Sequence, residues 1–227
     1  MADYVDLTHE FRDGMPGFRL QNEDGSYTEF TAEIQPFLTH EQTRPKYDGR
    51  ASFEITEMRF QTSIGTYLDA PSHRFPEARD ISELDLTDLI ADGVVVDVRD
   101  RDPYEPVDEA VLPRDVDLSG KAVLFEFGWD SHWGTDQYRE YPYISESVIA
   151  RLVAEDVSLV GVDTINIDDD RNPDRPAHTT LLKEEIPIVE NLCGLKPLRD
   201  RRFRFYAIPI KAAETVTMPV RAFAEIT

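Results

Sequence analysis

Cysteine, lysine and long apolar runs are all scarce in this sequence of 227 residues. Its one cysteine, Cys193, excludes an intramolecular disulfide and a zinc site built from several thiolates. No stretch approaches the roughly 18 apolar residues that a membrane-spanning helix requires. Glycine-rich phosphate loops and serine-centred nucleophile elbows are also missing. The sequence therefore argues against a disulfide-stapled domain, a helical membrane protein and a P-loop nucleotide enzyme.

Negative charge dominates what is present. Asp and Glu number 45 against 24 Lys and Arg, which gives a formal net charge of -21. Such a polyanion repels nucleic acid, so we expect no nucleic-acid partner. Only five of the 24 basic residues are lysine. Excess carboxylate with little lysine favours a halophilic protein, because molar salt shortens the screening length to ~3 Å. An ordinary acidic protein from a mesophile is the alternative.

The first eleven residues carry acidic side chains where a secretory signal needs a basic segment followed by an apolar run. The single cysteine gives no reason to expect an oxidising compartment. We therefore expect a cytoplasmic location and no association with a membrane.

Short apolar runs rich in β-branched residues alternate with amphipathic segments. The runs predict strands at 4–7, 94–98, 122–127, 159–162, 203–210 and 220–226, and a half-exposed strand over 53–62. Ser145 predicts the start of a helix whose apolar residues share one face, and shorter helices are predicted at 82–90 and 179–185. This alternation predicts an α/β fold with a mixed sheet flanked by helices, as a single domain spanning 1–227.

The densest group of chemically active residues follows the half-exposed strand, between Ser63 and His73. Asp69 and His73 stand four residues apart beside Pro71, at a predicted strand end. A carboxylate and an imidazole so placed can share a divalent cation, or the carboxylate can orient the ring. The same spacing also fits an ordinary surface hydrogen bond.

A second imidazole and a second carboxylate come later, at His178 and Glu190. A predicted helix separates them, so the two side chains converge if that helix doubles back. Taken alone, His178 also fits a residue at a helix start and Glu190 a solvated acid.

The motif resembles that of the cyclase family, which includes bacterial kynurenine formamidases and isatin hydrolases. The family pattern His-x-Gly-Thr-His-x-Asp-x-Pro-x-His corresponds here to Ser63-x-Gly65-Thr66-Tyr67-x-Asp69-x-Pro71-x-His73. Further likeness lies in Asp6-Leu-Thr-His9, Gly128-Trp129, Gly161-Val-Asp163-Thr164, His178 with Leu181-Leu182, and Val189-Glu190-Asn191-Leu192. The resemblance keeps its order over nearly the whole chain.

The resemblance implies a swivelling β/β/α-type architecture, assembled as a homodimer or homotetramer. It also implies a hydrolase that attacks an amide or lactam-like C–N bond in a small metabolite with an activated water. The positions that match the second metal of two-metal relatives are Asp69, His73, His178 and Glu190. In single-metal relatives the position of His73 serves instead as the general base, and one nitrogen cannot do both.

Two departures from the family pattern affect the metal. Ser63 and Tyr67 stand where relatives have histidine ligands, and hydroxyl groups bind zinc or manganese poorly. We therefore expect at most one divalent ion, zinc or manganese, in each subunit. Ser63 and Tyr67 are expected to donate hydrogen bonds to the substrate or to a developing oxyanion.

Two rival functions fit the same residues. One is a metal-free cyclase or lyase in which Asp69 orients His73 as the base and Tyr67 supplies the acid. The other is a binding protein that has lost the chemistry. The acidic run 168–170 is interpreted as a solvated loop, because it lacks the spacing of a calcium-binding loop. The aromatic residues between Trp129 and Tyr138 fit either a substrate pocket or the core.

Overall fold

A computed structural model describes residues 3–227, which form fourteen strands and four α-helices. The strands are β1 Asp3–Asp6, β2 Pro16–Gln21, β3 Tyr27–Thr31, β4 Glu33–Leu38, β5 Ile55–Arg59, β6 Tyr67–Asp69, β7 Ile90–Asp97, β8 Pro106–Val107, β9 Ala122–Glu126, β10 Tyr143–Ile144, β11 Leu159–Val162, β12 Ile188–Glu190, β13 Phe203–Pro209 and β14 Thr217–Ile226. The helices are α1 His40–Thr43, α2 Leu86–Leu89, α3 Glu146–Ala154 and α4 Pro176–Lys183.

The contacts divide the chain into two compact units. The first, which we call the sheet unit, comprises residues 3–9 and Thr66–Thr227. The second, the hairpin unit, comprises Glu10–Gly65. That the whole chain is a single domain stays a prediction.

Eight strands of the sheet unit form one mixed sheet in the order β1-β14-β13-β7-β9-β11-β12-β6. β7, β9, β11 and β12 pair in parallel, and the other neighbours are antiparallel. β14 also pairs with β6, so the sheet closes into a barrel-like ring. This confirms the predicted α/β class and the mixed sheet.

Burial on both faces explains the composition of the central strands. Every residue of β9 and β11 is buried, as is usual for parallel strands covered on both sides. Gly161 in β11 allows a close approach, since a Cβ there would lie 2.7 Å from side-chain atoms of both Leu124 and Leu192. α3 buries Val148, Ile149 and Leu152 against the core, which is the face that the sequence predicts.

The hairpin unit contains two antiparallel pairs, β2 with β3 and β4 with β5. β5 corresponds to the predicted strand over 53–62, but all five of its residues are exposed rather than half-exposed. β2, β3 and β4 were not predicted from the sequence, and most of their residues are exposed.

The helices depart from the predictions in length and start. The segment 82–90 forms a helix only over α2, with Asp85 as its N-cap. α4 begins three residues earlier than predicted because Pro176 occupies its first turn, which proline favours. Within residues 3–227 we find no helix long and apolar enough to cross a membrane.

Candidate metal centre

Two short neighbouring strands bring two acidic residues close together. Asp69 is the last residue of β6 and Glu190 is the last residue of β12, and these strands are antiparallel neighbours. Tyr67 is directly opposite Glu190 in the register. Because alternate residues of a strand share a face, Tyr67 and Asp69 point to the same side of the sheet. All three side chains are buried.

α4 adds an imidazole to this pair. The helix lies between β11 and β12 in the chain and carries His178 in its first turn. His178 Nε2 is 3.7 Å from Asp69 Oδ2 and 3.6 Å from Glu190 Oε1. One ligand atom from each of these residues lies within 4.8 Å of the other two. Three of the four residues predicted to hold a metal therefore converge in the interior.

His73, the fourth predicted ligand, lies beside this group in the turn after β6. Its Nε2 is 3.9 Å from Asp69 Oδ1, and its ring centroid is 5.9 Å from that of His178. Burial lowers the pKa of His73, and nearby Asp69 opposes that shift. The side chain is 35% exposed, whereas Asp69 is fully buried. His73 is thus the member of the four that solvent reaches.

Glu190 already has a donor at each oxygen. The Ile167 backbone N–H donates to Oε1 at 2.9 Å, and the Tyr67 hydroxyl donates to Oε2 in a short hydrogen bond. Burial raises the pKa of Glu190 to about 7, while His178 opposes the shift. Burial and the neighbouring carboxylates raise the pKa of Tyr67 well above its ordinary value, so the phenol stays protonated. The phenol proton is therefore engaged with Glu190. The expected donation from Tyr67 to a substrate or oxyanion stays a prediction.

Asp69 differs from Glu190 in having nothing to accept. Both of its oxygens are buried, and neither has a hydrogen-bond partner within residues 3–227. A buried carboxylate without a partner is costly, so such a group requires a cation or a donor. Burial lowers the pKa of His178, yet the hydrogen bond to Asp168 and the nearby carboxylates of Asp69 and Glu190 outweigh it and raise the pKa to about 10. The donor set and its excess of negative charge therefore fit a divalent cation.

Asp168 is the residue of this site that the sequence interpretation missed. It is 1% exposed, so its assignment to a solvated loop is wrong, although Asp170 in the same run is exposed. Asp168 Oδ2 lies 2.7 Å from His178 Nδ1. One sequence signal was available: a helix starting at Pro176 follows Arg175, which is not an N-cap residue, so its first N–H groups need a distant acceptor.

The remaining candidates have other surroundings. Ser63 is half-buried in the hairpin unit, and its role as a hydrogen-bond donor stays a prediction. Trp129 and Tyr138 are buried members of the main hydrophobic cluster, which agrees with the core interpretation. His9 stacks on Trp133 with ring centroids 3.8 Å apart, and its backbone N–H donates to Thr66.

A closed mixed sheet with a buried histidine and two carboxylates at its strand ends defines a candidate metal-dependent enzyme. The chain belongs to the Cyclase family, because that family's model, described as "Putative cyclase", matches residues 5–169. This confirms the family that the motif predicts.

Known relatives agree with the predicted enzyme class. The chain is 27% identical over 169 residues to a kynurenine formamidase of Erythrobacter litoralis, covering 74% of this chain and 76% of the relative. Its fold matches an isatin hydrolase bound to the product analogue thioisatinate, with a TM-score of 0.85, 21% identity, and coverage of 99% and 92%. It also matches a potential metal-dependent hydrolase with cyclase activity, with a TM-score of 0.76, 20% identity, and coverage of 100% and 99%. The first two are hydrolases of amide C–N bonds in small metabolites, which is the class that the sequence predicts.

Proposed function

We propose that this protein is a hydrolase of an amide or lactam-like C–N bond in a small metabolite, acting through a water held at the Asp69 centre. One observation carries the proposal. Asp69 is a buried carboxylate without a hydrogen-bond partner, placed among His178, Glu190 and His73 in a chain of the Cyclase family. The names of the curated relative and of the matching isatin hydrolase support the bond type.

Asp69, His178 and Glu190 are the residues that would hold one divalent cation, zinc or manganese, with His73 beside them. Such a cation, when bound, would acidify a water and polarise the carbonyl of the substrate. One imidazole and two carboxylates are a ligand set found at catalytic zinc sites, where a further position stays open.

His73 is suited to move a proton. It lies outside the set of three ligand atoms, borders Asp69 and is partly exposed. A lowered pKa keeps its imidazole neutral near pH 7, as a general base requires. In this proposal His73 takes the proton of the attacking water, and the leaving nitrogen receives it.

Tyr67 serves Glu190 in this proposal. Its hydroxyl holds Oε2 and keeps the carboxylate in place opposite β6. Tyr67 occupies a position where the family pattern has a histidine ligand. This replacement also supports the expectation of at most one metal ion per subunit. Ser63 remains a proposed donor to the substrate or its oxyanion.

We further propose a homodimer or homotetramer of swivelling β/β/α architecture with helices against the sheet, in a halophilic cytoplasm. Exposed apolar side chains in the hairpin unit support an assembly, since a monomer seldom exposes so many in one region. They are Phe18, Leu20, Tyr27, Phe37, Tyr47, Ile55 and Met58. The net charge of -21 supports a salt-rich environment.

The test combines metal analysis with a substrate panel. Purified protein loaded with zinc or manganese is expected to hold one ion per chain and to hydrolyse members of a panel of N-formyl arylamines and cyclic amides. His73→Gln is expected to keep the ion and lose the hydrolysis. Hydrolysis that persists after complete removal of metal would favour the metal-free alternative, and failure on the entire panel would favour a binding protein.

A further inference from the structure

Asp168 is bonded to three groups of α4 at once. Its Oδ1 accepts from the Ala177 backbone N–H at 2.6 Å, and its Oδ2 accepts from the His178 backbone N–H at 3.1 Å. The same Oδ2 lies 2.7 Å from His178 Nδ1. Both side chains are almost completely buried. One carboxylate therefore fixes both the start of the helix and the ring of its third residue.

The direction of these hydrogen bonds decides the orientation of the ring. A carboxylate that accepts backbone N–H groups at both oxygens is an acceptor, so the short contact requires a proton on His178 Nδ1. The opposite nitrogen, Nε2, faces Asp69 and Glu190. With Nδ1 protonated and hydrogen-bonded, Nε2 is the nitrogen that would release its proton and offer a lone pair when a cation binds.

We propose that Asp168 is a positioning residue for the metal centre: it holds His178 in the ring orientation and tautomer that present Nε2 to a divalent cation between Asp69 and Glu190. This inference rests on the proposed function. The inference adds to that function a residue, Asp168, that contacts neither the metal nor the substrate.

The helix start shows that Asp168 has more than a capping role. The residue at the N-cap position, Arg175, has a left-handed backbone with φ 48° and makes no side-chain cap bond. Asp168 replaces it from eight residues before the helix. A cap needs only an acceptor for the backbone N–H groups, which an uncharged amide oxygen also supplies. The contact with Nδ1 needs an acceptor at the second oxygen as well.

Asp168→Asn separates the two roles because asparagine has one acceptor and one donor group. If its oxygen caps Ala177, its NH₂ group faces His178 Nδ1, where it favours the tautomer with the proton on Nε2. That tautomer directs N–H instead of a lone pair toward Asp69 and Glu190. The capping bond to Ala177 survives, the bond to the His178 backbone N–H is lost, and the ligand nitrogen is no longer presented.

The experiment measures zinc affinity by competition with a chromophoric chelator, for the full chain and for two variants. Asp168→Asn is expected to weaken zinc binding about 10- to 100-fold, the usual effect of losing such a partner. Asp169→Asn is the matched control, since Asp169 makes its side-chain bonds to Arg171 and not to the centre. It is expected to bind zinc within about twofold of the parent protein, so that the removal of a charge is not itself the cause.

Melting of the metal-free proteins separates stability from affinity. An Asp168→Asn protein that melts earlier but binds zinc as tightly as the parent protein overturns the inference, because Asp168 then only caps the helix. If the parent protein binds neither zinc nor manganese, the proposed function falls and this inference with it. If the parent protein and Asp168→Asn bind zinc equally well, this inference falls and the proposed function stands.

A second measurement covers an Asp168→Asn protein that does not fold. Nitrogen-15 NMR of the zinc-loaded parent protein is expected to show a proton on His178 Nδ1 and zinc on Nε2. Zinc on Nδ1 would overturn the inference regardless of how any variant behaves.

Discussion

The carboxylates of the interior and those of the surface behave as two different chemical groups. Asp48 pairs with Arg50 while both side chains stay 82% exposed, a contact that contributes little to stability. Asp69, Asp168 and Glu190 are at most 1% exposed. There each oxygen needs a donor or a cation, because desolvation of a charge costs several kcal/mol. An exposed carboxylate therefore needs no partner for stability, whereas each of these three buried carboxylates needs a donor or a cation.

The three buried carboxylates differ in how many hydrogen-bond donors they have, and this difference indicates where the chemistry takes place. Glu190 and Asp168 have donors at both oxygens, and Asp69 has none within residues 3–227. Asp69 is thus the one carboxylate of this group whose hydrogen bonds are not completed, and it faces the imidazoles of His73 and His178. This arrangement favours the binding of a cation at Asp69.

The largest effect is expected from His178→Ala, which removes one of the three buried residues proposed to hold the metal. It removes the imidazole between two buried carboxylates, so zinc or manganese binding should weaken more than about 100-fold and the hydrolysis should be lost. Elemental analysis and chelator competition measure the binding. His40→Ala, at an exposed histidine of the hairpin unit, is the matched control and should bind metal as before. An unchanged metal content in His178→Ala would show that the ligands are wrongly placed.

Tyr67→Phe sharpens the comparison within the interior. Without the phenol, Glu190 Oε2 is left buried and without its donor, which should lower the free energy of unfolding by about 1–3 kcal/mol. Metal should still bind. Tyr138→Phe is the control, since its hydroxyl donates at 2.8 Å to the uncharged side chain of Asn191 and should cost about 1 kcal/mol. Denaturant titrations measure both; equal costs, or loss of metal in Tyr67→Phe, would contradict this account.

The surface carboxylates should respond to salt. In dilute buffer a net charge of -21 repels itself over a Debye length of ~30 Å, and molar potassium chloride shortens that length to ~3 Å. We expect the melting temperature to rise by more than about 4 °C between these conditions, the shift that roughly 1–2 kcal/mol produces in a chain of this size. Sorbitol at equal osmolality controls for effects unrelated to charge. A melting temperature indifferent to salt would refute the halophilic interpretation.

The smallest expected effect is on the pH dependence of stability, and it comes from a largely buried imidazole, that of His9. Burial lowers the pKa of His9 to about 4, although Asp130 opposes the shift. The unfolded chain then binds the proton first, so stability is complete above about pH 6.5 and is lost as the pH falls toward 4. Allowing for partial exposure, His9 should account for about 1 kcal/mol of the loss between pH 7 and pH 5. Denaturation of His9→Gln should show a correspondingly flatter pH dependence; parallel curves for the two proteins would exclude this role.

Local patterns predicted those parts of the site that lie within one segment. The order of residues around Asp69 and His73 identified the family, and the composition of β9 and β11 predicted buried strands. Patterns failed where the decisive contact depends on which side chain of a polar run turns inward. Asp168 resembled its exposed neighbours, since the run 168–170 does not show which side chain turns inward.

The sequence by itself determined the family, the α/β class, the acidic surface and the replacement of two motif histidines by Ser63 and Tyr67. Only the tertiary structure decided which groups satisfy one another. The register of β6 against β12 sets Tyr67 opposite Glu190, and the start of α4 sets His178 between Asp168 and Asp69. The reason is physical: residue types set what each side chain can donate or accept, but partners as far apart in sequence as Tyr67 and Glu190 meet only when their strands pair.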